Sequence, residues 1–299
     1  MVHYPVIVLG DNLYSFVSAI FIKDAVVIGN RPFFFPFRYR TRLIRDCEPN
    51  KILLQELLIE IPERKIRYGY FVGNDFSFPT KRLAKELYSI FRLDKEPTDI
   101  WMQNHAEEFF VIDITEDEIA YLCYSILLTE GRIMYDKIKR INILKKEIYG
   151  KHQTYSYDNL IVSIPAPEFL KLAGIQIEDY RFVHAVKYYA LLPINQLPSK
   201  IGKKIKDLDY AYLIDIDLPF YRISNTGSFV ICETYAPIDD YRYIWEEKYG
   251  ILIDSKWNPT DLEMLNIYFV GREAKFQEEY YIQNGVADIL RIKKKIQKE

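Results

Sequence analysis

Two junctions near opposite ends of this chain carry residue types that could hold an anion. In NIYFVGREAKFQEEYYIQNGVADIL, residues Asn266 to Leu290, an apolar strand meets Gly271 and Arg272; a polar aromatic stretch follows, and a helix is predicted to open at Gly285, with Val286 next. A glycine lets backbone approach a ligand, an arginine faces negative charge, and a helix N-terminus offers free N–H groups. In YPVIVLGDNLYSFVSAIFIKDAVVIGNRP, residues Tyr4 to Pro32, the second junction places Gly10, Asn12, Leu13 and Ser15 between a buried strand and a helix.

The elements that must position these residues follow from pattern. Val6 to Leu9 is a continuous apolar run suited to a central parallel strand, Gly10 to Asn12 is a turn, and Leu13 to Ile22 has helical apolar spacing. Ala25 to Ile28 is a second short strand, so the chain is predicted to begin with a βαβ unit. A dinucleotide-binding turn would read G-x-G-x-x-G, with an acidic residue ending the second strand. Here Gly10, Asn12 and Ser15 take the three glycine positions, Ala19 follows on the helix, and Gly29 or Asn30 stands where the acid belongs. Asn12 tolerates a left-handed backbone and Ser15 is small, which keeps the geometry open.

Between the junctions, Lys51 to Ile61 is predicted as a short helical or extended segment, and Pro79 to Phe91 as an amphipathic helix with proline near its start. Glu116 to Leu128 is another predicted helix. From Arg132 the pattern changes to short strands, with a charged hairpin from Lys145 to His152 and a strand from Tyr157 to Pro165. A further strand-rich region runs from Arg181 to Tyr235.

Lys plus Arg number 40 and Asp plus Glu 42, a balance that gives no reason to expect nucleic acid as a partner. Apolar segments are broken by charge before membrane-spanning length, as Lys23 and Asp24 break the first, so no membrane is expected. Cys47, Cys123 and Cys232 are isolated and lack metal-ligand spacing, which predicts a reducing, cytoplasmic setting. The four histidines are scattered, and no metal site is expected.

In their order, the N-terminal βαβ turn, GRIMYDKIKRI, YDNLIVSIPAPEFL, PFYRISN and the terminal GRE…QNGVADIL resemble the superfamily of FAD-dependent amine oxidases, protoporphyrinogen oxidases and UDP-galactopyranose mutases. The resemblance spans almost the whole chain. It implies that Gly271, Arg272, Gly285 and Val286 approach the flavin and its pyrophosphate. Gly10, Asn12, Leu13 and Ser15 fall at the phosphate turn, Asn30 and Arg31 at the end of the second strand, and Ile138 near the adenine. The family's Gly-Gly-Arg segment is replaced by RPFFFPFRYRTR, in which Arg38 and Arg40 either pair with the pyrophosphate or form a surface cluster. In the mutase branch Tyr221, Arg222 and Glu233 face the substrate; the alternative is an ordinary hairpin with Arg222 and Glu233 as a cross-strand pair.

The expected fold is therefore α/β: a discontinuous, Rossmann-like FAD-binding domain (1–60, 120–168, 240–299) with a smaller α+β substrate domain (61–119, 169–239). Three functions follow from the resemblance. The first is an FAD-dependent oxidoreductase of the amine-oxidase type acting on a small molecule. The second is a mutase-like enzyme acting on a sugar nucleotide. The third is a non-catalytic relative that has lost FAD and serves as a binding subunit, alone, with a protein partner or with a second copy. The two missing motif glycines, the missing ribose acid and the absent Gly-Gly-Arg segment support the third.

Overall fold

A computed structural model describes residues 1–30, 43–91, 97, 99–176, 181–234, 243–254, 258–275 and 280–297. Val2–Leu9 (β1), Leu13–Phe21 (α1) and Ala25–Gly29 (β2) form the opening βαβ unit. Next come Leu43–Arg45 (β3), Glu48–Glu56 (α2), Glu63–Lys65 (β4), Tyr68–Val72 (β5), Asp75–Ser77 (β6), Lys81–Phe91 (α3) and Asp99–His105 (α4). Pro49 lies in the first turn of α2, which resolves Lys51 to Ile61 as the end of a helix and its exit.

Phe110–Thr115 (β7) runs straight into Glu116–Thr129 (α5) through a capping box. Thr115 Oγ1 accepts from the Glu118 N–H at 3.1 Å, and the Glu118 carboxylate accepts from the Thr115 N–H at 2.9 Å. Ile133–Tyr135 (β8), Ile138–Asn142 (β9), Glu147–Gly150 (β10) and Thr154–Val162 (β11) follow, then Ala166–Ala173 (α6). The region predicted as strand-rich holds Arg181–Pro193 (β12), a short helix Ser199–Lys204 (α7), Tyr210–Ile214 (β13), Arg222–Asn225 (β14) and Phe229–Thr234 (β15). Tyr243–Asp254 (β16), Ile267–Phe269 (β17), Arg272–Lys275 (α8) and Ile282–Ile296 (α9) complete the described elements.

The first sheet has the order β8-β2-β1-β11-β10-β9, with β17 also paired to β11. The pairs β8/β2, β2/β1, β1/β11 and β11/β17 are parallel, while β9 and β10 form an antiparallel appendage. Residues alternate across β1: Val6 and Val8 pack with α1, α5 and α9, and Ile7 and Leu9 pack with Phe169 and Leu170 of α6. Burial on both faces is why this strand reads as an unbroken apolar run.

The second sheet, β16-β12-β15-β14-β13-β5-β6, is mixed, and β3-β7-β4 forms a third. The expected α/β fold, with a Rossmann-like sheet assembled from both ends of the chain, is what the molecule has. β16, in the 240–299 segment, pairs with β12 in the second sheet, and β3, in the 1–60 segment, pairs with β7. No helix among the described residues is long and apolar enough to cross a membrane.

Candidate functional site

The carboxyl ends of β2, β1, β11 and β17 meet where α1 leaves the first sheet on one side of β1 and β11 enters on the other. In open α/β sheets, ligands bind at such a switch point. Gly10 turns the chain there at φ +135°, and its N–H donates to the Ile28 carbonyl at 2.9 Å. A Cβ on Gly10 would lie 2.4 Å from Ser163 Oγ and 2.9 Å from Ser15 Oγ, so only glycine fits.

Asn12 is extended rather than left-handed, at φ −134°, because it is the N-cap of α1. Its Oδ1 accepts from the N–H groups of Tyr14 (3.0 Å) and Ser15 (3.2 Å), and its Nδ2 donates to the Ser163 carbonyl at 2.9 Å. The Ser15 and Ser163 hydroxyls are hydrogen-bonded to each other, and Ser163 Oγ also donates to the Leu9 carbonyl at 3.1 Å. Leu13 starts α1 and packs against the core. Asn30 is exposed beyond β2 and supplies no acid.

Among the described residues, the charge beside this turn is negative. Burial, and then the neighbouring Asp11 carboxylate, push the Glu168 carboxyl above its ordinary range.

Gly271 leaves β17 at φ +106°. The tyrosine ring at position 14 lies across it and across Gly285: a Cβ would stand 2.9 Å from the ring at Gly271 and 2.5 Å at Gly285. The helix predicted to open at Gly285 opens at Ile282 instead, where the Asn284 side chain accepts the Tyr281 N–H at 3.0 Å. The Gly285 N–H therefore lies inside the first turn and donates to the Tyr281 carbonyl, rather than facing a ligand. Val286 is buried in the core beneath α1. The Arg272 backbone begins α8.

Thus Gly10, Asn12, Ser15, Gly271 and Gly285 are gathered around α1. Ile138 is not among them: it is a core residue of β9, and β10 and β11 separate it from β1. Arg31, Arg38 and Arg40 lie outside the described residues.

Tyr221, Arg222 and Glu233 come together on the second sheet. Arg222 and Glu233 are register partners, with Nη1 and Oε1 3.0 Å apart, and the Tyr221 hydroxyl donates to Glu233 Oε2 at 2.8 Å. The Arg222 guanidinium lies 4.4 Å from the centre of the Tyr210 ring. Burial opposes its charge, but Glu233, Tyr212 and Tyr210 outweigh that and leave the group firmly protonated.

Tyr68, Tyr70, Tyr210 and Tyr212 occupy adjacent register positions on the same face. Burial pushes the hydroxyls of Tyr210 and Tyr212 up, so both stay neutral. The repeated Tyr-x-Tyr at 68/70 and 210/212 is the signal in sequence, since alternate residues of a strand share a face. Arg45, at the end of β3, also reaches this cluster, with its guanidinium 4.1 Å from the Phe109 ring centre. No local sequence pattern marks it.

No protein-family model and no curated protein matches the chain. Solved structures do. Reduced UDP-galactopyranose mutase is similar with a TM-score of 0.60 at 12% identity, over 98% of this chain and 95% of that one. An oxidoreductase from Methanosarcina mazei gives 0.60 at 11%, over 97% and 100%. A rebeccamycin biosynthetic enzyme with reduced flavin gives 0.57 at 10%, over 99% of this chain and 61% of that one. The chain has a flavoprotein fold.

The described residues at the switch point do not fit the pyrophosphate of FAD. A helix start that binds phosphate presents free N–H groups, and here the groups of Tyr14 and Ser15 are bound to Asn12. The space before Gly10 is filled by Ser15 and Ser163, and Asp11 and Glu168 add negative charge beside it.

Proposed function

We propose that this protein is a non-catalytic relative of flavoenzymes, a binding protein that keeps the α/β fold without the cofactor. The observation that carries this reading is the Asn12 cap, which takes the two α1 N–H groups an anion would need. The division into a cofactor-like part (1–60, 120–168, 240–299) and a smaller substrate-like part (61–119, 169–239) belongs to the same reading. So does a cytoplasmic location, supported by three cysteines that are all free thiols.

The visible absorption spectrum of the purified protein, repeated after heat release and after incubation with FAD, tests it. A colourless protein that takes up no FAD is the expected result. Flavin bands at roughly one cofactor per chain would overturn the proposal, since a flavin enzyme orients its cofactor in stoichiometric amount.

An FAD-dependent oxidoreductase, of the amine-oxidase type expected from the sequence, is the second reading. It is favoured by the placing of Gly10 and Gly271, both at positive φ, at the ends of β1 and β17. It requires Asn12 to turn away from α1. For a mutase acting on a sugar nucleotide, Arg222 would have to leave Glu233 to meet a phosphate.

A further inference from the structure

Helix α2 ends in a conformation that its residue at that point does not favour. The Leu58 N–H donates to the Gln55 carbonyl at 3.0 Å and the Ile59 N–H to the Leu54 carbonyl at 2.9 Å, the paired bonds of a Schellman stop. Such a stop needs a left-handed residue just past the helix, a place that glycine or asparagine ordinarily fills. Here the residue is leucine, at φ +55°. Its side chain is 93% exposed, so burial within the chain returns nothing for the strained backbone.

The residues that follow, Ile59 to Glu63, line an open groove of about 600 Å³. Leu54 and Ile112, both buried, join Ile59, Ile61 and Pro62 in an apolar lining. The charged lining is Asp46, Glu60, Glu63 and Lys51. Lys51, the one cation among these lining residues, is already held, with its ammonium 2.9 Å from Asp46 and 3.5 Å from Glu63. Glu60 is exposed, and Glu56 adds a carboxylate at the end of α2. The surplus around the groove is therefore negative, in a segment that carries five carboxylates and one lysine from Asp46 to Glu63.

We propose that this groove, with Leu58 at its edge, docks a basic amphipathic segment of another protein. Apolar residues of the segment would cover Leu58, Ile59 and Ile61, and its lysines or arginines would meet Glu56, Glu60 and Glu63. The charge selects the partner, because an acidic segment would be repelled. Covering Leu58 also accounts for a leucine where glycine suits the backbone, since the contact gains the burial that the folded chain alone does not give. The docking does not depend on whether flavin binds at the end of β1, so it stands or falls apart from the function proposed above.

Fluorescence anisotropy of a labelled synthetic leucine–lysine amphipathic peptide, titrated with the full-length protein, tests the proposal; the same peptide with glutamate in place of lysine is the control. Saturable binding of the lysine peptide is expected, and Leu58→Gly should weaken it roughly fivefold or more, the effect of truncating a contributing interface side chain. Glu60→Lys should weaken it in low salt, with the gap to wild type narrowing as salt rises. Leu58→Gly should unfold in urea at or above the wild-type midpoint, because glycine suits the left-handed stop, so lost binding there is not lost folding. No saturable binding, equal binding of the glutamate peptide, or unchanged affinity in either variant would overturn the site. A lower urea midpoint for Leu58→Gly would overturn the premise that leucine is unfavourable at this position. In sedimentation velocity of the free protein, a dimer that Leu58→Gly dissociates would overturn the proposed partner and assign the groove to a second copy. Flavin content recorded on the same sample keeps the two proposals distinct, since bound flavin with peptide binding intact overturns the first and leaves this one standing.

Discussion

Arg222 on β14 faces Glu233 on β15 as a direct cross-strand pair, 3.0 Å from Nη1 to Oε1, with Glu233 only 2% exposed and the guanidinium stacked on Tyr210. A buried pair of this kind costs far more to break than to replace. Arg222→Ala and Glu233→Gln should each lose about 3–5 kcal/mol of stability. The double change to Met and Leu should lose much less, as urea unfolding will report. A loss in the double variant equal to the sum of the two single losses would show that the pairing contributes nothing.

Asn12→Ala removes the cap of α1 and should cost about 0.5–2 kcal/mol, whereas Asn12→Gly should cost only a few tenths. Both variants free the N–H groups of Tyr14 and Ser15, so weak phosphate binding should be gained by both. Titration with inorganic phosphate followed by amide NMR shifts at Tyr14 and Ser15 checks this. Shifts of the same size in the wild type would mean that Asn12 does not close the site.

At Gly285 the usual helix preference should reverse. Alanine is ordinarily better than glycine inside a helix by about 0.5–1 kcal/mol. Here the added methyl would stand 2.5 Å from the Tyr14 ring, so Gly285→Ala should lower the melting temperature. Combining it with Tyr14→Ala should recover part of the loss, with a coupling of about 0.5–3 kcal/mol. Strict additivity would show that the two residues do not meet.

Asp136 should make the protein sensitive to acid. Burial alone would raise its carboxyl, but hydrogen bonds from the His152 N–H, the Tyr155 hydroxyl and the N–H groups of Gln153 and Lys151 outweigh burial and hold it below the ordinary value. A folded-state pKa below the unfolded one gives stability that is complete above about pH 4 and is lost as pH falls through the folded value. Asp136→Asn should therefore cost about 1–3 kcal/mol at neutral pH, and the gap to wild type should close in acid. A gap that stays constant with pH would rule out the carboxylate as its source.

The opening βαβ unit was legible in sequence because its signals are local: an apolar run, a glycine that must turn, and a helical repeat. The same holds for α3 and α5, whose proline or capping box marks a start within a few residues. The start of α9 was displaced from Gly285 to Ile282, because the glycine there serves packing against Tyr14 rather than a helix end. Such a contact joins residues far apart in the chain, and periodicity carries no trace of it.

What the sequence by itself determined is the opening βαβ unit, the helices α3 and α5 and the residue types at the two glycine junctions, all set by backbone preference and hydrophobic period. Tertiary structure alone decided what those residues touch. It turned Asn12 onto α1, set Arg222 against Glu233, kept Ile138 away from β1 and brought Arg45 among tyrosines of another sheet. The physical reason is that a hydrogen bond or ion pair depends on distances of about 3 Å, and only the packing of distant segments sets distances of that size.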